Sequence, residues 1–257
     1  MRLFALQFAV VLAALLSSGA HAEPNIIDEP FVDEFRRLAK KRWYVSNGWS
    51  NGSHQNCDWS KRALAMPVGE NMKVLYVPAG VWGDKAYCGE FQTRGWFEYG
   101  TFEARIRTDL GSGLNSAFFA FGGPVHKLPH GEIDFEIITK GSGSVWTNRF
   151  VEGDDLGQGE FVPFEGDVRD YHDYAFVWEP DRIRWFIDGQ LVREVTEHVP
   201  DHRLKVYFSH WGSDTLTNWM GPIEISDGPV AMGIERFAYT PHGEDCAFPE
   251  SILCTLP

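Results

Sequence analysis

The stretch Gly131-Glu132-Ile133-Asp134-Phe135-Glu136-Ile137 constrains this chain more than any other. Acidic and apolar residues alternate through it, which is the pattern of a half-buried β-strand. Successive side chains on a strand point to opposite faces, so Glu132, Asp134 and Glu136 share one face while Ile133, Phe135 and Ile137 enter the core. Three like charges in a row repel each other, and a face meant only for solvent would mix in Lys or Thr.

The same spacing suits a reaction. At about 3.3 Å per residue, the Cα atoms of Glu132 and Glu136 stand roughly 13 Å apart, a gap that two long side chains leaning inward on a concave sheet can close. Retaining glycosidases need two carboxyl groups only about 5–5.5 Å apart, one as nucleophile and one as acid/base. The shorter Asp134 fits between them, where it can hydrogen-bond a neighbour and tune its charge. On these seven residues alone, the competing reading is a strand face that is merely acidic.

The chain has 257 residues and opens on a secretory pattern over residues 1–22. Arg2 supplies the positive start, residues 3–16 are almost wholly apolar, and Ala20-His21-Ala22 is a small-x-small cleavage site. That apolar run is shorter than the roughly 20 residues a membrane span requires. Cleavage leaves residues 23–257, expected to fold as one domain with a short tail over about 241–257, free of the membrane and either secreted or periplasmic. The formal net charge is −13, and losing Arg2 with the leader, which carries no acid, makes it −14. So acidic a protein is a poor match for nucleic acid, whose phosphates recruit Lys and Arg.

Export makes disulfides the default state of Cys57, Cys88, Cys246 and Cys254. Four cysteines allow three pairings, and Cys57–Cys88 with Cys246–Cys254 is the favoured one. The first would close a loop of about 32 residues, worth roughly 3–4 kcal/mol on a chain-entropy view, and the second would staple the tail. No Cys-x-x-Cys spacing supports a metal site, and the nine His are scattered without ligand spacing.

From residue 62 onward short segments rich in β-branched and aromatic residues recur about every ten residues, with Gly, Pro, Asn and Asp between them. They cover 63–68, 72–77, 87–94, 100–108, 116–121, 145–151, 174–179, 182–188, 190–194, 204–210 and 230–239, a spacing that indicates a sandwich or barrel. Asp188-Gly189 marks a hairpin turn. Residues 31–41 read as a strand start followed by a short helical turn. No sustained helical period, heptad, repeat or linker is visible. Ten Trp, nineteen Phe and eight Tyr are many for this length; some belong to the core, and sugar-binding clefts also use aromatic platforms.

These residues together resemble glycoside hydrolase family 16, most closely its endo-1,3-1,4-β-glucanase (lichenase) branch, over roughly residues 42–240. Glu132-Ile133-Asp134-Phe135-Glu136 matches the family's E-x-D-x-E signature in its unbulged form; an inserted residue would turn the last Glu to the other face unless a bulge absorbed it. Tyr99-Gly100-Thr101-Phe102-Glu103-Ala104-Arg105 resembles the Y-G-x-(Y/F)-E-x-R strand. His172-Asp173-Tyr174 through Trp178-Glu179-Pro180, with Ile183, Trp185 and Asp188-Gly189, resembles a second family segment. Ser50-Asn51-Gly52, Asn56-Cys57, Trp59 and Cys88-Gly89-Glu90 resemble the lichenase disulfide region, which independently favours Cys57–Cys88.

The resemblance implies an all-β jelly-roll sandwich of two antiparallel sheets with a substrate cleft on the concave one. It implies Glu132 as nucleophile, Glu136 as acid/base and Asp134 as assistant to both. It also implies sugar contacts at Asn51, Glu90, Asn148, Trp211 and Trp219, with Trp49 where the family often has an aromatic, and a structural role for His172. No cofactor is required for such chemistry. Glu235 falls near an Asp that relatives associate with a structural calcium, without further support in the sequence.

Several positions depart from the lichenase pattern. Gln92 stands for an Arg, His130-Gly131 for Trp-Asp, Ser209 for Asn and Gln55 for an aromatic. In this the chain is similar to the bacterial glycanases that cut succinoglycan-like exopolysaccharides. The expected activity is endo-hydrolysis of a mixed-linkage β-glucan or such an exopolysaccharide, by a monomer, with retention of configuration. A transglycosylase on the same fold would instead yield products longer than the substrate, and a carbohydrate-binding lectin would bind without cleaving.

Overall fold

A computed structural model describes residues 24–154, 157–224 and 226–256. The leader expected over residues 1–22 lies outside the described residues. Alternation along the strands sorts their side chains into two layers. The concave layer runs Glu160–Val162, Ser144–Val151, Gly131–Ile138, Leu114–Gly122, Lys205–Gly212, Tyr87–Thr93 and Trp43–Val45. The second runs Leu64–Ala65, Met72–Val77, Val230–Thr240, Gly100–Thr108, His172–Glu179, Arg182–Ile187 and Gln190–Val195, with Phe31–Asp33 also paired to Val230–Thr240. The result is the β-jelly-roll sandwich that the sequence implies. Its neighbours pair antiparallel, apart from the short parallel contact of Asp58–Trp59 with Tyr87 and Cys88.

Aromatic rings fill the space between the layers. Phe118 lies 5.2 Å from Phe176 and 6.1 Å from Phe237 across the sandwich. Phe208 meets Phe237 at 5.7 Å, and Phe135 meets Tyr174 at 5.5 Å. Edge and offset contacts at these distances add to what area burial alone supplies. Ile133, Phe135 and Ile137 join this core, which fixes the register of the acidic strand: a slip of one residue would drive its three carboxylates inside.

The strand Tyr87–Thr93 belongs to both layers. Tyr87 and Cys88 pair with Met72–Val77, whereas Gly89 to Gln92 pair with Lys205–Gly212. At this corner the chain runs so close to its neighbour that a Cβ on Gly89 would stand 2.6 Å from the Ala63 carbonyl oxygen and 2.7 Å from Val74 Cγ1. Cys88 is bonded to Cys57, with their Cα atoms 5.7 Å apart. The corner and its bridge together deliver Glu90 to the concave face.

Cys246 is bonded to Cys254, and the tail they close docks on the outer face of the second layer. There Ser251 Oγ donates to Glu103 Oε1 at 2.6 Å, and the Ile252 N–H donates to Glu103 Oε2 at 2.8 Å. Ile252 and Leu256 pack over Ala175, Val177 and Phe186. At the hairpin, Asp188 and Gly189 both take positive φ, 47° and 78°, the conformation a two-residue type I′ turn demands.

Three local readings change. The helical turn expected at the end of 31–41 is a bend and a turn, because Asp33 accepts from the Phe35 N–H and from Trp43 Nε1 and pulls the segment back on itself. The strand expected over 63–68 is only Leu64–Ala65, preceded by a 3₁₀ turn at Lys61–Ala63 that Ser60 caps. Glu160–Val162 is a strand by virtue of its edge pairing with Ser144–Val151, a tertiary contact that its three residues do not announce.

Replacing Gly89 with Ala forces a methyl against backbone at the layer corner, and overpacking of this kind costs about 1–3 kcal/mol. Equilibrium urea unfolding of Gly89→Ala is expected to show a lower midpoint at unchanged slope; an unchanged midpoint would mean that the corner relaxes freely.

Candidate active site

The acidic strand lies in the middle of the concave layer. In register, Glu132 faces Phe121 on one side and Phe150 on the other, Asp134 faces Phe119 and Asn148, and Glu136 faces Ala117 and Trp146. Above them opens a cleft of about 530 Å³ whose walls include all three carboxylates. Its floor continues across the sheet to Tyr207, Ser209, Gln92 and Glu90, with Phe119 stacked on Tyr207 at 4.9 Å.

Each carboxylate has a different environment. Asp134 is 4% exposed. Burial first, then the charges of Glu132 and Glu136, hold its pKa well above the usual carboxylate range, and in its protonated form it donates to Glu132. Buried Arg193, held by the Thr147 carbonyl at 2.7 Å, opposes this only in part. Glu136 is pushed up to about 8 by burial and by the charge of Glu132, although Asn115 Nδ2 donates to its Oε1 at 2.8 Å and pulls the other way. Glu132 keeps a second donor as well. His130 Nε2 lies 2.7 Å from Glu132 Oε2, and in the tautomer protonated at Nε2 the imidazole N–H donates to that oxygen.

The structure also places the expected sugar contacts. Trp49, Asn51, Glu90 and Trp211 line the cleft. Trp49 is 42% exposed and packs edge-on against Trp59, while Trp211 meets His54 edge-on at 5.8 Å. Gln55 ties this rim to the disulfide: its Oε1 accepts from the Asn51 N–H and its Nε2 donates to the Cys57 carbonyl. Glu90 is 2% exposed, accepts from Ser46 Oγ at 2.5 Å, and is pushed up to about 7 by burial. Asn148 sits beside Asp134 in register, with its Oδ1 taken by the Arg149 N–H. Trp219 lies on the short helix Thr217–Met220, edge-on to Trp146 at 6.1 Å, and Trp146 stands beside Glu136 in register, so this pair extends the concave face past the Glu136 end. His172 stays away from the cleft, its two ring nitrogens facing Asp188 and the Asp167 carbonyl.

Sequence reasoning did not single out Asn115, Phe119, Phe121, His126 and Tyr207. The signal was available: in Leu114–Gly122, alternation puts Asn115, Phe119 and Phe121 opposite core residues Phe118 and Ala120, and aromatic rings on a face that should be polar mark a ligand surface. His126 accepts from the Gly123 N–H at Nδ1, so its Nε2 carries the proton toward Tyr207 Oη at 3.3 Å. Burial and Lys205 push it down to about 4.

A calcium ion at Glu235 does not fit the residues present. Arg105 Nε lies 2.7 Å from Glu235 Oε2, so the guanidinium already neutralises that carboxylate. Among the described residues no cluster of three or more His, Cys, Asp or Glu is arranged to hold a metal.

Comparison with known proteins agrees with this geometry. The profile of Glycosyl hydrolases family 16 matches residues 51–227. The chain is 45% identical to the endo-1,3-1,4-β-glycanase ExoK of Rhizobium meliloti, over 88% of this chain and 84% of that protein. It is 31% identical to the β-glucanase of Bacillus subtilis, over 85% of this chain and 86% of that one. The solved structure of Bacillus licheniformis β-glucanase superposes with a TM-score of 0.79 at 27% identity, covering 83% of this chain and 99% of that one.

The raised Glu136 carries a stability consequence. A group whose folded pKa, about 8, exceeds its ordinary 4.5 contributes stability that is full below pH 4.5 and is lost as pH rises toward 8. At pH 7 the loss is about 3 kcal/mol. Glu136→Gln keeps the shape and removes the charge, so its melting temperature is expected to exceed that of the unaltered protein by several degrees at pH 7 and to match it at pH 4. Equal melting temperatures at both pH values would show that the carboxyl is not strained by burial.

Proposed function

This chain belongs to glycosyl hydrolase family 16, and from that premise we propose that it is an exported, monomeric endo-β-glycanase that cuts internal bonds of a mixed-linkage β-glucan or succinoglycan-like exopolysaccharide with retention of configuration. The observation that carries the proposal is the division of labour imposed on one strand face. Glu132 accepts hydrogen bonds from both neighbours and is equipped to act as an anion, whereas Glu136 is held protonated to about pH 8. A retaining mechanism needs that pair of states.

In the first step a Glu132 oxygen attacks the anomeric carbon as the bond to the leaving oxygen breaks, and Glu136 transfers its proton to that oxygen. In the second, Glu136 takes a proton from water, the water oxygen attacks the anomeric carbon, and Glu132 departs as a carboxylate. Asp134 stays protonated and steadies Glu132 as its charge comes and goes. The open, aromatic-lined cleft suits a polymer that lies across it, with Trp49 and Trp211 as stacking platforms and Asn51 and Glu90 as polar contacts on one side of the scissile bond. Asn148 and Trp219 are assigned to the other side, Trp219 reaching the polymer only beyond Trp146. Export rests on the leader pattern and on the two disulfides; no helix among the described residues is long and apolar enough to cross a membrane.

Glu132→Ala is expected to abolish turnover, and azide to restore part of it as a glycosyl azide of inverted configuration. Loss without rescue would contradict the nucleophile assignment. With the unaltered enzyme, kcat/KM is expected to fall above about pH 8 as Glu136 loses its proton. Viscosity and reducing ends measured on cereal 1,3-1,4-β-glucan and on succinoglycan decide the polymer: cleavage of succinoglycan alone assigns the altered cleft residues to that substrate, and binding without cleavage of either would sink the hydrolase.

A further inference from the structure

His130 is fixed more firmly than a rim residue needs to be. Its ring stacks on Phe150 at 5.0 Å with an interplanar angle of 13°, and meets Phe121 edge-on at 5.2 Å. Those two rings flank Glu132 on the adjacent strands, so the slot that clamps the imidazole is built around the same carboxylate the imidazole touches. The His130 carbonyl accepts from the Gly153 N–H at 3.1 Å, which anchors its backbone. Gly131 follows it, and a Cβ there would stand 2.6 Å from the His202 ring, so the glycine leaves that ring its place against the strand. The pair His130-Gly131 thus lets the chain pass close under the 200–202 segment while aiming one ring nitrogen at Glu132 Oε2, at 2.7 Å.

We propose that His130 is a positioning residue for Glu132: its Nε2–H anchors Oε2 and fixes the plane of the carboxylate, so that attack at the anomeric carbon starts from one orientation. This rests on the reading of Glu132 as nucleophile. Asp134 supplies one donor to that carboxylate from within the strand, and His130 supplies the other from the strand's leading end. Two donors on different elements hold a plane that one donor leaves free to rotate. The contact is to a charged acceptor, and losing such a hydrogen bond lowers the rate of the step that uses it by roughly ten- to a hundredfold.

The test uses a 2,4-dinitrophenyl 2-deoxy-2-fluoro-β-cellobioside. Glu132 displaces dinitrophenolate, which leaves without a proton from Glu136, and the fluorosugar stays on the carboxylate, so the labelling rate reports on the nucleophile alone. His130→Phe keeps the ring against Phe150 and removes the donor; His130→Gln keeps a donor at the same reach. The unaltered enzyme is expected to be labelled at Glu132, His130→Phe at least about tenfold more slowly, and His130→Gln within about threefold of the unaltered enzyme. On the polymer, kcat is expected to fall in His130→Phe with KM little changed. Absence of a label on Glu132 in the unaltered enzyme would overturn the nucleophile reading itself. Labelling of His130→Phe at the unaltered rate, or equal loss in His130→Phe and His130→Gln, would overturn the positioning role while leaving that reading intact.

Discussion

Three carboxylates spaced two residues apart on one face of a buried strand cannot all stay ionised. In a half-dry cleft each charge raises the free energy of the next, and withdrawal from water raises it further. The chain resolves this by keeping protons on Asp134 and Glu136 and by surrounding Glu132 with donors. The proposed chemistry depends on that partition. A nucleophile that is an anion and an acid that holds its proton at neutral pH are the two states that one strand face, so crowded, is driven toward.

The sandwich holds that strand in register and in place. Ile133, Phe135 and Ile137 pin it from behind through an aromatic core that both layers share. The layer corner at Gly89 and the Cys57–Cys88 bridge carry Glu90 to the same surface, and Gln55 hangs the Asn51 rim from that bridge. Burial that stabilises the core thus also desolvates the acids, so the site is destabilising at neutral pH in proportion to its readiness to act. The tail locked by Cys246–Cys254 lies on the opposite face, where Glu103 receives it, and takes no part in the cleft.

Much of this could be read from residue order. The alternation around Glu132 fixed both the strand and the shared face of its acids, and Asp188-Gly189 announced its turn. Other features depend on contacts between distant segments and left little local trace. Glu160–Val162 becomes a strand only because Ser144–Val151 offers an edge. Trp219 reads like Trp211, yet Trp211 lines the cleft beside Glu90 whereas Trp219, on a four-residue helix, packs edge-on against Trp146 past the Glu136 end. His130 was visible only as a departure from a family pattern; its contact with Glu132 needed the rings of Phe121 and Phe150, from two other strands, to become apparent.

The most direct measurement of the central claim is the anomeric configuration of the first product, followed by proton NMR during the opening minutes of polymer cleavage, before mutarotation mixes the anomers. A covalent sugar on Glu132, formed and broken by two inversions, predicts that the β-anomer appears first. The α-anomer first would mean that water attacks directly and would contradict the assignment of Glu132 as nucleophile.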